Sequence, residues 1–284
     1  MKNFEYLEPR SLKEAIRLLR KYERKAKLLA GGTDLMIEMK KGFIRPQYLI
    51  NLKKIKDLDK ISYSKKVGLN IGSLVTWANV LSSQPIHRHY PLLREAASLI
   101  GCPQIRNVGT IGGNICHGSP AADSAPILMV YGAQCTIEGI GRGRVVPIEE
   151  IFRGVQKISL KQGEILTGLR IPTPDPESKG CYIKFSPRKA MDLPIVGVAV
   201  LLRIIDGKFD DVKIALGAVA PTPIRARRAE KFLSGNPIND ELIRGATEEA
   251  SNESEPITDV RASREYRLGL VQELTYRAIK QCIG

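Results

Sequence analysis

Two short stretches of the sequence combine glycines with hydroxyl and amide side chains in a way that suits phosphate chemistry. The first is Leu29-Ala30-Gly31-Gly32-Thr33-Asp34-Leu35. The second is Thr110-Ile111-Gly112-Gly113-Asn114, preceded by Asn107-Val108-Gly109. Glycine lets backbone N–H groups approach a phosphate with no Cβ in the way. Thr33, Thr110 and Asn114 can hydrogen-bond phosphate or ribose oxygens, and a helix starting after a cluster adds partial positive charge. Either cluster alone reads as a tight turn. The two together read as parts of one pyrophosphate site.

Other chemistries are disfavoured by what the sequence lacks. There is no G-x-x-x-x-G-K-[ST], so a P-loop is not expected, and no G-x-G-x-x-G between a strand and a helix, so neither is a Rossmann site. Gly139-Ile140-Gly141-Arg142-Gly143 sits between β-like runs and reads as a hairpin loop. His117, Ser119 and Asp123 lie too close together on one stretch to supply the geometry of a Ser-His-Asp triad. Cys116-His117 has no spaced partners and reads as a buried thiol beside a polar residue.

The clusters need elements to hold them, and the pattern supplies these in three segments with joins near 57 and 174. Residues 1–57 read as a small α/β unit. A short strand at Phe4–Tyr6 precedes a helix that Ser11 caps, with Glu14 completing a capping box. A strand at 27–30 ends in Gly31-Gly32. A helical turn follows at 35–40, and a further strand spans 48–52. This order predicts a mixed or parallel sheet. Residues 58–174 carry paired strands at 58–63 and 67–71. Helices follow from Thr76 and over 92–99, then the glycine-rich stretch 101–118, an apolar helix at 125–131 and short β-like runs to 171. Three prolines in 172–180 mark a linker. Residues 175–284 begin with strands at 182–185 and 195–205, turn at Asp206-Gly207 and return over 212–219. They continue through helices at 226–233, after an Asp240 cap, and over 263–282. An antiparallel sheet with helices on one face is the economical packing.

At 284 residues the chain is long enough for two or three domains, and its 43% hydrophobic and 26% charged content is that of a globular protein. No apolar run reaches 18 residues, so no spanning helix is expected, and the N-terminal stretch does not read as a secretory signal. The net charge of +14 is uneven, since residues 1–66 hold 18 Lys and Arg against 8 Asp and Glu. A nucleic-acid surface is one reading of that segment; a solvated basic face or a patch facing an acidic partner is the other. Five cysteines with no C-x-x-C argue against a disulfide framework or an iron–sulfur or zinc site on this chain, and fit a reducing cytoplasm.

The stretches LLAGGTDL (28–35) and QIRNVGTIGGNICHGSPAAD (104–123) resemble the FAD-binding subunit of the molybdenum hydroxylase family, which includes xanthine dehydrogenase and aerobic carbon monoxide dehydrogenase. The resemblance covers essentially the whole chain. It implies an α+β fold: a two-subdomain FAD-binding unit of the vanillyl-alcohol-oxidase type, then a C-terminal antiparallel sheet with helices. It implies FAD on this chain, and 2Fe–2S clusters and molybdopterin on a small and a large partner subunit, in a dimer of heterotrimers. Electrons would pass through FAD to an external acceptor such as NAD, a quinone or oxygen.

Carried over by residue, the resemblance implies that Leu29, Ala30, Gly31, Gly32, Thr33, Asp34 and Leu35 wrap the FAD pyrophosphate. Thr110, Ile111, Gly112, Gly113 and Asn114 would hold the phosphates and approach the flavin. Asp123 would bind a sugar hydroxyl, Ile100 and Leu166 would pack on the cofactor, and Lys184 would reach the flavin. Asp34 departs from the usual pattern and sets a carboxylate near the pyrophosphate, which is unfavourable unless it points away or caps a helix. A vanillyl-alcohol-type oxidase acting alone would need a Tyr or His facing the flavin N5, and no convincing candidate is present.

Overall fold

The computed structural model describes residues 2–284. The chain opens with β1 (Glu5–Leu7), α1 (Leu12–Tyr22), β2 (Ala26–Leu29), α2 (Leu35–Lys41) and β3 (Tyr48–Asn51). The three strands form a parallel sheet in the order β1-β3-β2. Ser11 caps α1 by accepting from the Glu14 N–H, as its spacing predicts. Glu14 reaches back one residue further than a standard box and takes the Arg10 N–H at 2.9 Å. Ala15 and Ile16 then bury against Ala26 and Ile50. Parallel strands need crossovers, so the chain leaves β2 through a loop before entering α2. That loop is the first glycine cluster.

The middle of the chain begins with β4 (Ile61–Ser64), β5 (Gly68–Gly72), α3 (Trp77–Ser82), α4 (Gln84–His89) and α5 (Pro91–Leu99). It continues with α6 (Pro103–Val108), α7 (Ile111–His117) and α8 (Ser124–Val130). It closes with β6 (Gln134–Glu138), β7 (Arg144–Pro147), β8 (Phe152–Gly154), β9 (Lys157–Ile158) and β10 (Ile165–Ile171). A five-stranded antiparallel sheet runs β4-β5-β10-β6-β7, with β8 and β9 a separate ribbon. The glycine-rich stretch 101–118 is more regular than its composition predicts, because α6 and α7 occupy most of it. Pro103 opens α6, and the Thr110 hydroxyl caps α7 by accepting from Gly113 N–H. The segment 139–143 is the hairpin between β6 and β7.

The last part holds β11 (Lys179–Phe185), β12 (Val196–Ile205), β13 (Lys208–Gly217), β14 (Ile224–Arg225), α9 (Arg227–Leu233), α10 (Asp240–Asn252) and α11 (Arg264–Ile283). The strands form an antiparallel sheet in sequence order, and Asp206-Gly207 makes the β12–β13 turn. The cap of α10 is Asn239 rather than Asp240: its side chain accepts from Leu242 N–H, and Asp240 begins the first turn. Alternation sorts the side chains. Val198, Val200, Ile214 and Leu216 pack against α9, α10 and α11. Tyr182, Ala199, Leu201 and Ala215 point the other way and join the core of the middle part with α5 and α8. The sheet therefore carries its own helices on one face and rests on the middle unit with the other.

Candidate functional site

The two glycine clusters touch. A Cβ on Gly31 would overlap the Val108 carbonyl oxygen and lie 2.9 Å from the Gly109 Cα, so only glycine lets the two backbones meet here. A Cβ on Gly113 would lie 3.9 Å from Ala30. The loop after β2 is thus seated directly against the loop and helix that contain the second cluster. Glu38 on α2 and His117 at the end of α7 make a second link, with carboxylate oxygen and Nδ1 3.8 Å apart.

The two clusters offer different donors. The N–H groups of Gly31, Gly32, Thr33 and Asp34 have no acceptor among the described residues. Gly31, Gly32 and Thr33 are half-buried, where backbone donors almost always find a partner, so this loop presents a ready row for an anionic ligand. In the second cluster the amides are already committed. Ile111 N–H donates to Val75 O at 2.9 Å, Gly112 to Ser73 O at 2.9 Å, Gly113 to Thr110 Oγ1 at 3.1 Å and Asn114 to Thr110 O at 3.0 Å. That side of the site has side chains left to give. The Thr110 hydroxyl keeps its proton for a further acceptor. The Ser124 hydroxyl donates to Asn114 Oδ1 at 2.5 Å, which leaves the Asn114 Nδ2 available as a donor. The Asp34 carboxylate is exposed and makes no cap on α2.

Asp123 and Lys184 meet across the two larger units. Lys184 Nζ lies 2.8 Å from Asp123 Oδ2 and 3.5 Å from Leu99 O. Both side chains are only 8% exposed, which separates this pair from the solvent-exposed ion pairs elsewhere. Tyr182 was not singled out by its sequence context, yet its hydroxyl donates to Asp123 Oδ1 at 2.8 Å. A tyrosine in a β-run carries no motif; the contact exists only because the C-terminal sheet docks on α8. Burial raises the Asp123 carboxyl, and Lys184 and Tyr182 oppose that rise. Burial and the neighbouring carboxylate push the Tyr182 phenol well above its usual range, so it remains a neutral donor. Ile100 is half-buried at the end of α5, where its carbonyl accepts from Arg106. Leu166 is buried in β10, and Leu29, Ala30, Thr33 and Leu35 are half-buried around the first loop.

All five cysteines are free, and burial pushes the Cys116 and Cys135 thiols up to about 12, so they remain protonated. No group of three or more metal-ligating side chains exists among the described residues. An extended row of N–H donors, a hydroxyl and a carboxamide, next to a buried lysine–carboxylate pair, fits a dinucleotide with a pyrophosphate and a polar ring edge.

Comparison with known proteins places this arrangement in a class. Residues 2–174 match the FAD binding domain in molybdopterin dehydrogenase, and residues 181–282 match the CO dehydrogenase flavoprotein C-terminal domain. The chain belongs to the family of FAD-binding subunits of molybdenum hydroxylases. Among its relatives, it is 36% identical over 280 residues to the xanthine dehydrogenase FAD-binding subunit of Escherichia coli O157:H7, covering 98% of this chain and 96% of the relative. It is 34% identical over 276 residues to the carbon monoxide dehydrogenase medium chain of Hydrogenophaga pseudoflava, covering 97% and 96%. A solved carbon monoxide dehydrogenase from Hydrogenophaga pseudoflava superposes with a TM-score of 0.96 over 99% of this chain and 97% of that one. Quinoline 2-oxidoreductase from Pseudomonas putida 86 superposes with a TM-score of 0.91 at 29% identity, covering 98% and 96%.

Proposed function

We propose that this chain is the FAD-carrying electron-transfer subunit of a heteromeric molybdenum hydroxylase. The observation that carries the reading is the seating of two glycine clusters against each other, with four backbone donors that have no acceptor among the described residues, in a chain of this family. When bound, FAD accepts electrons that arrive from a 2Fe–2S partner and releases them to an external acceptor.

The chain's own residues divide the binding work. Leu29 to Leu35 form the pyrophosphate wrap, with the amides of Gly31 to Asp34 donating and the Asp34 carboxylate turned to solvent. From Thr110 to Asn114, the Thr110 hydroxyl and the Asn114 amide reach the phosphates, while Ile111, Gly112 and Gly113 hold α7 at the right distance. Asp123 takes a sugar hydroxyl. Lys184 places a cation beside the flavin ring, where positive charge stabilises the reduced anionic form. Ile100 and Leu166 pack on the cofactor and keep water from it. On this account the segments 1–57, 58–174 and 175–284 are functional units: two for the dinucleotide and a third that brings Lys184.

The 2Fe–2S clusters and molybdopterin belong to a small and a large partner subunit, a reading supported by the medium chains of carbon monoxide dehydrogenase that this chain resembles. We place the complex, a dimer of heterotrimers, in the cytoplasm, in keeping with five free cysteines. The test is affinity purification of the tagged chain from its native host. A small cysteine-rich chain and a large molybdenum-containing chain are the expected companions. Recovery of the chain alone, or with nucleic acid, would contradict the assignment.

A further inference from the structure

We propose that Tyr182 is a positioning residue for the cofactor: its hydroxyl, seated over Gly197, fixes the Asp123 carboxylate and through it the direction of the Lys184 ammonium. The inference rests on the function proposed above and extends it to a residue that touches neither phosphate loop.

Tyr182 and Lys184 stand two apart on β11 and so share a face. Opposite them on β12 are Ala199 and Gly197. These small residues leave room for two long side chains to run along the sheet toward Asp123. The fit at Gly197 is tight, because a Cβ there would lie 2.9 Å from the Tyr182 hydroxyl oxygen. The phenol is 4% exposed and Asp123 is 7% exposed, so neither oxygen has bulk water as an alternative partner.

A carboxylate held by one lysine can rotate about its Cβ–Cγ bond and let the flexible ammonium follow. Here each oxygen has its own buried donor, Tyr182 on Oδ1 and Lys184 on Oδ2, both at 2.8 Å. The rigid phenol, attached to a paired strand, removes that rotation. Asp123 directly precedes α8 but makes no cap to it, in keeping with a carboxylate committed elsewhere. Glu95 of α5 is the other acidic group whose charge acts on Tyr182, and it too keeps the phenol protonated. Tyr182 therefore does not compete for the proton; it orients.

The experiment uses the assembled complex and reads the FAD dissociation constant and the midpoint potential of the bound flavin. Tyr182→Phe keeps the ring and its packing and removes only the donor. It is expected to weaken FAD binding about ten-fold, the usual loss for one hydrogen bond to a charged group. It is also expected to shift the potential to more negative values, because the Lys184 ammonium is then held less firmly beside the flavin and is neutralised more by a carboxylate that has lost its second donor. In an Asp123→Ala background, which removes the acceptor, Tyr182→Phe is expected to change neither quantity further. Gly197→Ala should reproduce the direction of both changes by displacing the phenol oxygen, and it carries the test if Tyr182→Phe fails to assemble. Wild-type affinity and potential in Tyr182→Phe, or an undiminished effect in the Asp123→Ala background, would overturn the proposal. If Asp123→Ala and Lys184→Gln also behave as wild type, it is the placement of FAD that fails. If those two shift and Tyr182→Phe does not, only the role of Tyr182 fails.

Discussion

Gly113 shows how much can rest on one missing methyl group. Its N–H is capped by Thr110 Oγ1, and a Cβ would stand 2.9 Å from that oxygen and 3.9 Å from the Ala30 side chain. Gly113→Val therefore drives a branched side chain between the two loops that the cofactor is proposed to bridge. The expected outcome is an assembled complex holding less than about a tenth of the wild-type FAD. Circular dichroism should still report folded α10 and α11. Normal flavin content in that variant would place the pyrophosphate elsewhere. The glycine clusters were legible as candidates because glycine, hydroxyl and carboxamide side chains sit next to each other in the chain. The meeting of Asp123, Tyr182 and Lys184 was not, because it joins residues about sixty positions apart and depends on one unit docking on another.

Elements were legible where local chemistry decides them. The Ser11 cap and the Asp206-Gly207 turn follow from spacing alone, whereas the first sheet, open between mixed and parallel in the sequence, is parallel. The helices α6 and α7 were hidden by their glycines, whose low helix propensity is overridden by a Pro start, a Thr cap and burial of Ile111 and Ile115. Asn239 and Asp240 are both good caps, and side-by-side candidates cannot be ranked without the backbone. The β6–β7 hairpin is fastened to the loop before β10 by a two-pronged pair. Arg144 Nε and Nη2 reach Glu164 Oε1 and Oε2 at 2.9 and 2.8 Å. The Arg144 guanidinium holds the Glu164 carboxyl below its usual range. A carboxylate depressed in the folded state stabilises above its unfolded pKa and loses that contribution as pH falls through its folded value. Glu164→Gln should thus cost about 1–2 kcal/mol at pH 7, seen as a melting temperature lower by a few degrees. The gap between variant and wild type should close as the pH falls below the ordinary carboxylate range. A gap independent of pH would show that packing, not the ion pair, is what the substitution removes.

Across the whole molecule the charge is divided. Arginines beyond residue 140 are largely paired, as in Arg203 with Asp175 and Asp210, or Arg225 with Glu230. Of the 18 Lys and Arg in residues 1–66, only Lys60 is in an ion pair among the described residues. Arg17, Arg20 and Lys21 line an open depression with Glu23 and Gln162 on the outer side of α1. Uncompensated charge of one sign speeds and orients docking of an acidic surface and is screened by salt. Association of this chain with its partner subunits should therefore slow at least ten-fold between about 50 and 500 mM salt. The triple change of Arg17, Arg20 and Lys21 to Glu should slow it at low salt. Stopped-flow or surface-capture rates that ignore salt would assign the basic face to solvent.

The central claim, that this chain holds FAD within a molybdenum hydroxylase, meets its most direct test in the flavin content of the purified complex. Acid denaturation releases the cofactor, and its fluorescence before and after cleavage to the mononucleotide identifies and counts it. The account predicts one FAD for each copy of this chain, lost in Gly113→Val. A complex that contains iron and molybdenum but releases no flavin, and takes up none when FAD is added, would contradict it.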